Sequence, residues 1–269
     1  MSVSSPSFPP VQKRLGQNFL IDLNIVRKIL TLADIKPEET VLEIGPGRGV
    51  LTEALAKVSR QVVAVEVDPL LHRLLQERRE RWPNVELICA DALEYPFDSL
   101  PRGTVVVANL PYYVSTPLLF KLLERRTLFP RLILMLQEEV VDRLVAEPGS
   151  SDYGVLSVTA QYASFITKAF RVSANCFRPR PDVGSAVALF ETKQKTGLAG
   201  REEERFAVLV KAAFAHRRKT MVNSLRDEGL DQSFILEMLR RLGLPPTVRA
   251  EALPLTVFVE MARLDTART

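Results

Sequence analysis

Three acidic residues stand at the ends of successive apolar runs of the sequence, and a glycine-rich segment follows the first of them. Glu43 precedes Gly45-Pro-Gly-Arg-Gly49, Glu66 ends the second run and Asp91 follows the third. Glycines allow the chain to turn tightly and a ligand to approach the backbone closely. Three carboxylates would repel a phosphate and attract a cation. The residues therefore favour a cationic nucleoside such as S-adenosylmethionine, which carries a sulfonium and an amino group and no phosphate.

The spacing of these residues differs from that of a dinucleotide site. Glu66 lies 21 residues after Gly45, where an acid can accept the hydroxyl hydrogens of a ribose. The glycines follow the pattern G-x-G-x-G rather than G-x-G-x-x-G, and Pro46 removes a backbone donor that a pyrophosphate would use. Two structural alternatives stay open for individual residues: a glycine-rich turn without a ligand, and acids that only cap helices.

A fourth apolar run ends in Asn109-Leu-Pro-Tyr112. The exocyclic amine of adenine is a poor nucleophile because its lone pair is delocalised into the ring. Asn109 Oδ1 and the Leu110 carbonyl could accept its hydrogens, so that the nitrogen lone pair points at a methyl donor. Pro111 fixes the turn and has no N–H, and Tyr112 could stack on an unstacked base. The segment is equally compatible with an ordinary turn between a strand and a helix.

The positions of these residues depend on an alternation of strands and helices. The Val-, Ile- and Leu-rich runs, typical of parallel strands covered on both faces, are 41–44, 61–65, 85–89, 104–108 and 132–136. Stretches with helical spacing lie at 51–59, 70–81 and 116–123, and two further strand-like runs lie at 164–172 and 185–191. The alternation predicts a doubly wound α/β sheet, in which ligands bind outside the carboxyl ends of the strands.

The length and composition indicate a globular chain with a large and a small domain. The chain has 269 residues, and domains average about 150. Its 46% hydrophobic and 25% charged residues exclude a wholly disordered or collagen-like protein. Residues 1–192 are expected to form the catalytic domain, with a flexible tail over 1–11. Residues 193–269 begin with a linker and continue with helical spacing, which predicts a small all-α domain.

Charge and cysteine content place further limits on function. Lys and Arg number 36 against 32 Asp and Glu, a net charge of +4, and residues 191–269 hold 14 basic and 11 acidic residues. This surplus permits a nucleic-acid partner without requiring one. Two cysteines provide neither a disulfide framework nor metal-ligand spacing, so no metal is expected. The absence of a signal peptide or a long apolar run predicts a cytoplasmic protein with no membrane partner.

Six motifs together resemble the rRNA adenine-N6 dimethyltransferase family over nearly the whole chain. They are Gln17–Leu20, Glu43–Gly49, Glu66–Asp68, Asp91–Ala92, Asn109–Tyr112 and Phe177–Val183. The resemblance implies a class I S-adenosylmethionine-dependent methyltransferase fold, Rossmann-like, with a mostly parallel seven-stranded sheet and a small all-α C-terminal domain.

The resemblance also implies roles for individual residues. The residues expected to bind S-adenosylmethionine are Asn18, Leu20, Gly45, Glu66, Asp91 with Ala92, and Asn109. The residues expected to act on the target adenine are Asn109, Leu110, Tyr112 and Phe177. Phe177 would face the flipped base opposite Tyr112; without the resemblance, a core position beside a proline-stiffened loop is just as compatible with the sequence.

The family has two branches, one acting on small-subunit rRNA and one conferring erythromycin resistance by acting on large-subunit rRNA. Residues 213–225 resemble the helix that opens the C-terminal domain of the small-subunit branch. Its cations Arg217, Arg218 and Lys219 are expected to bind RNA phosphates, although a solvated helix face is the alternative. The expected activity is dimethylation of N6 of two adjacent adenosines in a hairpin near the 3′ end of 16S rRNA, by a monomer acting on the immature small ribosomal subunit.

Three other functions are compatible with parts of this pattern. One is the large-subunit resistance methyltransferase. Another is a non-catalytic RNA-binding assembly or transcription factor with the same fold, against which the intact acidic residues and Asn109–Tyr112 argue. The third is a small-molecule methyltransferase, which would have no use for basic residues in the C-terminal domain.

Overall fold

A computed structural model describes residues 11–12, 15–216 and 218–267 of the chain. The described residues form two compact units. The α/β unit holds the residues up to Val141 together with Phe165–Thr192, and the helical unit holds Asp142–Ser164 and the residues from Lys193 onward. The predicted boundary after Thr192 coincides with a limit of the units, whereas the sequence analysis assigned residues 142–164 to the first domain. Of the predicted tail, 1–11, only Val11 is described.

The elements follow one another as the alternation of the sequence suggests. The strands are β1 (Phe19–Leu20), β2 (Thr40–Ile44), β3 (Gln61–Glu66), β4 (Val85–Cys89), β5 (Val105–Asn109), β6 (Arg131–Gln137), β7 (Ser164–Val172), β8 (Phe177–Arg178) and β9 (Ser185–Thr192). The helices are α1 (Leu23–Ala33), α2 (Val50–Ala56), α3 (Pro69–Gln76), α4 (Ser115–Glu124), α5 (Glu138–Leu144), α6 (Val155–Ala163), α7 (Arg201–Phe214), α8 (Met221–Asp227), α9 (Gln232–Arg241) and α10 (Leu255–Thr266).

Seven of the described strands form one sheet in the order β4-β3-β2-β5-β6-β9-β7. The pairs from β4 to β6 are all parallel, and β9 runs antiparallel to β6. The predicted α/β fold with a mostly parallel sheet is therefore confirmed. The strand order reverses between β2 and β5, and in such sheets this reversal opens a crevice at the carboxyl ends of the strands.

The core of the α/β unit explains why these strands are almost uniformly apolar. Val41, Val62, Val105 and Ile133 lie on four neighbouring strands and belong to one buried cluster. Helix α1 adds its apolar face to the cluster, and Asp22 caps the helix by accepting a hydrogen bond from the backbone N–H of Asn24 at 2.8 Å. A sheet that is covered on both faces has no side facing solvent, so its strands do not alternate between polar and apolar residues.

The helical unit has its own core, built from α6 to α10. Here one expectation is wrong: residues 213–225 are not a single helix, because α7 ends at Phe214 and α8 begins at Met221. Thr220 starts the second helix by accepting a hydrogen bond from the backbone N–H of Asn223. Arg218 and Lys219 thus belong to the connection between two helices rather than to a helix face. None of the helices in the described part of the chain is both long and apolar enough to span a membrane.

Candidate functional site

A cleft lies at the carboxyl ends of β2, β3, β4 and β5 and is covered on one side by the N-terminal segment. Its lining includes residues 15–20, 43–48, 65–67, 90–93 and 109–114. All the sequence-predicted cofactor residues line it: Asn18, Leu20, Gly45, Glu66, Asp91, Ala92 and Asn109. Leu110 and Tyr112 line it as well, and Phe177 does not. The structure therefore brings together residues that are up to 94 positions apart in the sequence.

The glycine-rich loop after β2 has a backbone conformation that lets the Phe19 ring pack closely against it. Gly45 and Gly47 both adopt positive φ angles, +69° and +57°, which only glycine adopts at low cost. A Cβ on Gly47 would lie 2.9 Å from Cδ1 of Phe19 in the N-terminal segment. The guanidinium of Arg48 lies over the same Phe19 ring, 4.5 Å from its centroid. Phe19 therefore packs against the loop, and both line the cleft.

The carboxylate of Glu66 is held by two backbone donors. Gly47 N–H donates to Oε2 at 3.0 Å and Asp68 N–H donates to Oε1 at 3.0 Å. The side chain is only 4% exposed, and burial raises its pKa, with the two backbone hydrogen bonds opposing that shift. Each oxygen keeps a second lone pair, so a fixed pair of acceptors stands at the end of β3.

Glu43 is the most deeply buried acid of the cleft lining. It is 1% exposed, and its Oε2 has no hydrogen-bond partner among the described residues. Burial raises the pKa of Glu43 to about 8, and the nearby Glu66 carboxylate adds to the shift. At neutral pH the cleft therefore carries less negative charge than its three acids suggest, and a cation bound beside Glu43 would favour the ionised form.

Asp68 ties the N-terminal segment to the cleft, a function that the sequence analysis did not assign. Its Oδ2 accepts hydrogen bonds from the side-chain amides of Gln12 at 2.9 Å and Gln17 at 2.8 Å. Its Oδ1 caps α3 by accepting from Leu70 N–H at 3.0 Å. From the sequence alone, Asp68 before Pro69 indicates only a helix cap. Its contact with the two glutamines could not be predicted, because they lie more than 50 positions away.

Asn109 makes the second connection to this segment. Its Nδ2 donates to the Asn18 carbonyl at 3.2 Å, which fixes the orientation of the amide and leaves Oδ1 as the acceptor on the other branch. The backbone N–H of Leu110 donates to the Met135 carbonyl at 3.1 Å, so the following residue is held by β6. A sequence-predicted methyl-donor contact, Asn18, is therefore joined directly to the predicted catalytic amide.

The two predicted target-facing aromatic residues lie in different environments. Tyr112 lines the cleft, and its hydroxyl forms a hydrogen bond with Ser185 Oγ at 2.9 Å. Phe177 is 1% exposed within the core and pairs with Leu20 across β1 and β8. This position agrees with the core interpretation that the sequence left open. Contact between Phe177 and a base stays a prediction and would require the ring to leave the core. The exposed aromatic at the cleft is Tyr113, 54% accessible.

The predicted RNA-binding cations lie in the helical unit. Arg218 and Lys219 are exposed, and Lys219 Nζ forms an ion pair with Asp227 Oδ2 at 2.5 Å. Arg217 lies outside the described residues. Lys219 is therefore partly neutralised by its own unit, and Arg218 is the more available of the two described cations.

Comparison with known proteins identifies the family. The model of the ribosomal RNA adenine dimethylase family matches residues 10–263. The chain belongs to this family. Among similar dimethylases, "Ribosomal RNA small subunit methyltransferase A" of Moorella thermoacetica is 41% identical over 263 residues, covering 94% of this chain and 91% of that protein. The protein of the same name from Geobacter metallireducens is 42% identical, covering 94% of each, and the one from Pelotomaculum thermopropionicum is 44% identical, covering 93% and 90%.

Solved structures agree with this membership. A dimethyladenosine transferase from Plasmodium falciparum superposes with a TM-score of 0.79 at 27% identity, covering 90% of this chain and 95% of that one. The 23S rRNA methyltransferase ErmE gives a TM-score of 0.71 at 26% identity, covering 92% and 99%. The class I methyltransferase fold expected from the resemblance is thereby confirmed for this dimethylase.

The raised pKa of Glu43 predicts an unusual pH dependence of stability. The folded dimethylase holds this proton up to about pH 8, whereas an unfolded chain releases it near 4.5. The folded state binds more protons in this window, so the stability from Glu43 falls as pH rises through it. We expect the unfolding free energy of the native protein, relative to Glu43→Gln, to fall by at least about 1 kcal/mol between about pH 5 and pH 8.5.

The measurement is denaturant unfolding followed by fluorescence of Trp82, the chain's one tryptophan, which is buried in the α/β unit. Glu53→Gln, on the exposed surface of α2, is the matched control, and its difference from the native protein is expected to stay constant. Equal free-energy differences at both pH values for Glu43→Gln would show that the carboxyl is already ionised at neutral pH.

The contact between Gln17 and Asp68 predicts how firmly the N-terminal segment is held. We expect Gln17→Leu to raise amide hydrogen exchange over residues 15–20 about tenfold, because a hydrogen bond to a carboxylate is lost. Gln61→Leu is the control, since Gln61 donates to Glu86 at 3.2 Å at the opposite end of β3. Similar exchange in the two variants would mean that Asp68 does not hold the segment.

Proposed function

We propose that this dimethylase uses S-adenosylmethionine to dimethylate N6 of two adjacent adenosines in a hairpin near the 3′ end of small-subunit rRNA. The observation that carries the chemistry is the position of Asn109, Leu110 and Tyr112 at the edge of the acid-lined cleft. The small-subunit substrate is supported by relatives of that name at 41–44% identity, against 26% for the large-subunit enzyme ErmE. The proposal includes a monomer that works in the cytoplasm on immature small subunits.

The residues of the cleft fit S-adenosylmethionine. Gly47 has no Cβ, which allows Phe19 to pack against the loop at the side of the cleft. Glu66 offers two fixed acceptors for ribose hydroxyls, and the unpartnered Glu43 oxygen suits a cationic ligand. Asn18 and Leu20 would close the cleft, Gly45 would face the methionine end, and Asp91 with Ala92 would face the adenine ring. When bound, the cofactor supplies an electrophilic methyl group on a sulfonium.

The contribution of the chain is to orient the target amine. Asn109 Oδ1 and the Leu110 carbonyl would accept hydrogen bonds from its two hydrogens, so that the nitrogen lone pair faces the methyl group. Orientation and fixed dipoles of this kind account for most of the rate enhancement in many enzymes. Tyr112, anchored by Ser185, would support the base from its face. A second transfer requires only that the same acceptors admit the N6-monomethyl amine, which has one hydrogen left to donate.

The test is transfer of label from methyl-labelled S-adenosylmethionine to immature small ribosomal subunits, followed by nucleoside analysis. The expected product is N6-dimethyladenosine in the small-subunit rRNA alone. Label in large-subunit rRNA would support the resistance-type activity instead. Absence of label from adenine would overturn the proposed reaction and favour a non-catalytic RNA-binding role.

Asn109 provides the sharpest test of the catalytic assignment. We expect Asn109→Ala to lower kcat about 10²- to 10³-fold, the loss typical of removing one fixed transition-state partner, while cofactor affinity changes no more than about threefold. Binding is measured by calorimetry and turnover by label transfer. Asn84→Ala is the control, because its amide donates to the carbonyls of Ala56 and Ser59 and is not part of the cleft lining. A loss of affinity in proportion to rate would contradict the acceptor role.

We also propose that residues 193–269 form an RNA-binding domain through Arg217, Arg218 and Lys219. Because Lys219 is paired with Asp227, Arg218→Ala is expected to raise KM for subunits more than Lys219→Ala does. Loss of one phosphate contact should also reduce the slope of log affinity against log salt by about one. Arg240→Ala is the control, a cation of the same unit that pairs with Glu237. Equal effects of all three substitutions would indicate only a general charge effect.

A further inference from the structure

Lys121 on α4 donates hydrogen bonds to three backbone carbonyls of the loop that follows β4. Its Nζ donates to the carbonyl of Ala92 at 3.1 Å, to that of Tyr95 at 2.9 Å and to that of Leu93. The Phe97 ring lies on a further side, with its centroid 4.8 Å from Nζ. An ammonium has three N–H donors, and here each has a carbonyl partner in one short loop.

This arrangement differs from that of an ordinary surface lysine. Burial lowers the pKa of Lys121, and Arg125 lowers it further, while Glu94, Asp91 and Asp98 oppose the shift. Removing a strongly hydrated ammonium from water is costly. The charged donors and the ring face offset this cost, because charge-assisted hydrogen bonds and cation–π contacts are stronger than neutral contacts. The lysine is thus used to hold a specific backbone shape.

The loop held by Lys121 carries the residues assigned to the adenine ring of the cofactor. Asp91 accepts a hydrogen bond from Leu93 N–H at 2.8 Å through its side chain and from Tyr95 N–H at 2.9 Å through its carbonyl. These bonds turn the loop, and its residues 90–93 line the cleft while the carbonyls of Ala92, Leu93 and Tyr95 accept from Lys121.

The same lysine connects this loop to the catalytic segment. Helix α4 begins at Ser115, three positions after Tyr112, and Ser115 Oγ donates to the Tyr112 carbonyl at 3.0 Å. Lys121 lies about two turns further along the same helix. Lys121 therefore fixes the position of the loop after β4 relative to the helix that follows Asn109–Tyr112.

We propose that Lys121 is a positioning residue that fixes the β4 loop for recognition of the cofactor's purine, and so determines selectivity for adenine. The proposal rests on the use of S-adenosylmethionine proposed above. Lys121 does not itself line the cleft; it acts through the backbone of Ala92 and Leu93. Loss of the ammonium would leave three carbonyls without their donor and allow the loop to adopt other shapes.

The test compares Lys121→Met with the native enzyme, using S-adenosylmethionine and its analogue in which hypoxanthine replaces adenine. We expect KM for S-adenosylmethionine to rise about tenfold, kcat at saturating cofactor to change no more than about threefold, and the preference for adenine over hypoxanthine to fall about tenfold. Lys57→Met, an exposed lysine paired with Glu53 on α2, is the matched control and should change none of the three.

A second variant guards against failure to fold, which Trp82 fluorescence reports. Lys121→Arg keeps the charge but cannot aim three donors from one nitrogen, and it should lower the adenine preference at least about threefold. An unchanged preference in a folded variant, or a fall in kcat with KM unchanged, would overturn the proposal. If the native enzyme neither binds nor uses S-adenosylmethionine, the proposed function fails instead, so the two failures are distinguishable.

Discussion

The buried carboxylate of Glu66 is the interaction on which the site depends. It accepts hydrogen bonds from Gly47 and Asp68, and so joins the loop after β2 to the loop after β3. Asp68 in turn holds Gln17, and the next residue along, Asn18, is bound by Asn109. These hydrogen bonds, with the peptide between Gln17 and Asn18, thus link the glycine-rich loop to the side-chain amide of Asn109. Partly satisfied polar networks are costly in a buried site, which explains why so many backbone donors converge there.

Much of this could be predicted from the sequence because strand ends are easy to locate. Runs of Val, Ile and Leu mark strands buried on both faces, and in a parallel sheet their carboxyl ends share one edge. Glu43, Glu66, Asp91 and Asn109 were therefore placed together correctly, since all line one cleft. The fold specifies which side chains become neighbours, whereas the reaction depends on the chemistry of those side chains.

Other features could not be predicted because they depend on contacts distant in sequence or on short capping interactions. The role of Asp68 requires two glutamines more than 50 positions away, and that of Lys121 requires a loop 26 to 29 positions earlier. The break between α7 and α8 reflects the Thr220 cap. The apolar spacing of residues 213–225 suggests one uninterrupted helix and gives no sign of this cap. Phe177 was ambiguous from the start, since large aromatic residues serve cores and binding sites alike.

The short pairing of β1 with β8 limits how the N-terminal segment can move away from the cleft. Leu20, which lines the cleft, is the direct partner of Phe177, and Ile21 N–H extends the pairing to the Cys176 carbonyl at 2.9 Å. Any withdrawal of the N-terminal segment must either break these few backbone bonds or carry β8 with it. The resistance of this side of the cleft to opening is therefore set by a few backbone hydrogen bonds together with the burial of Leu20 and Phe177.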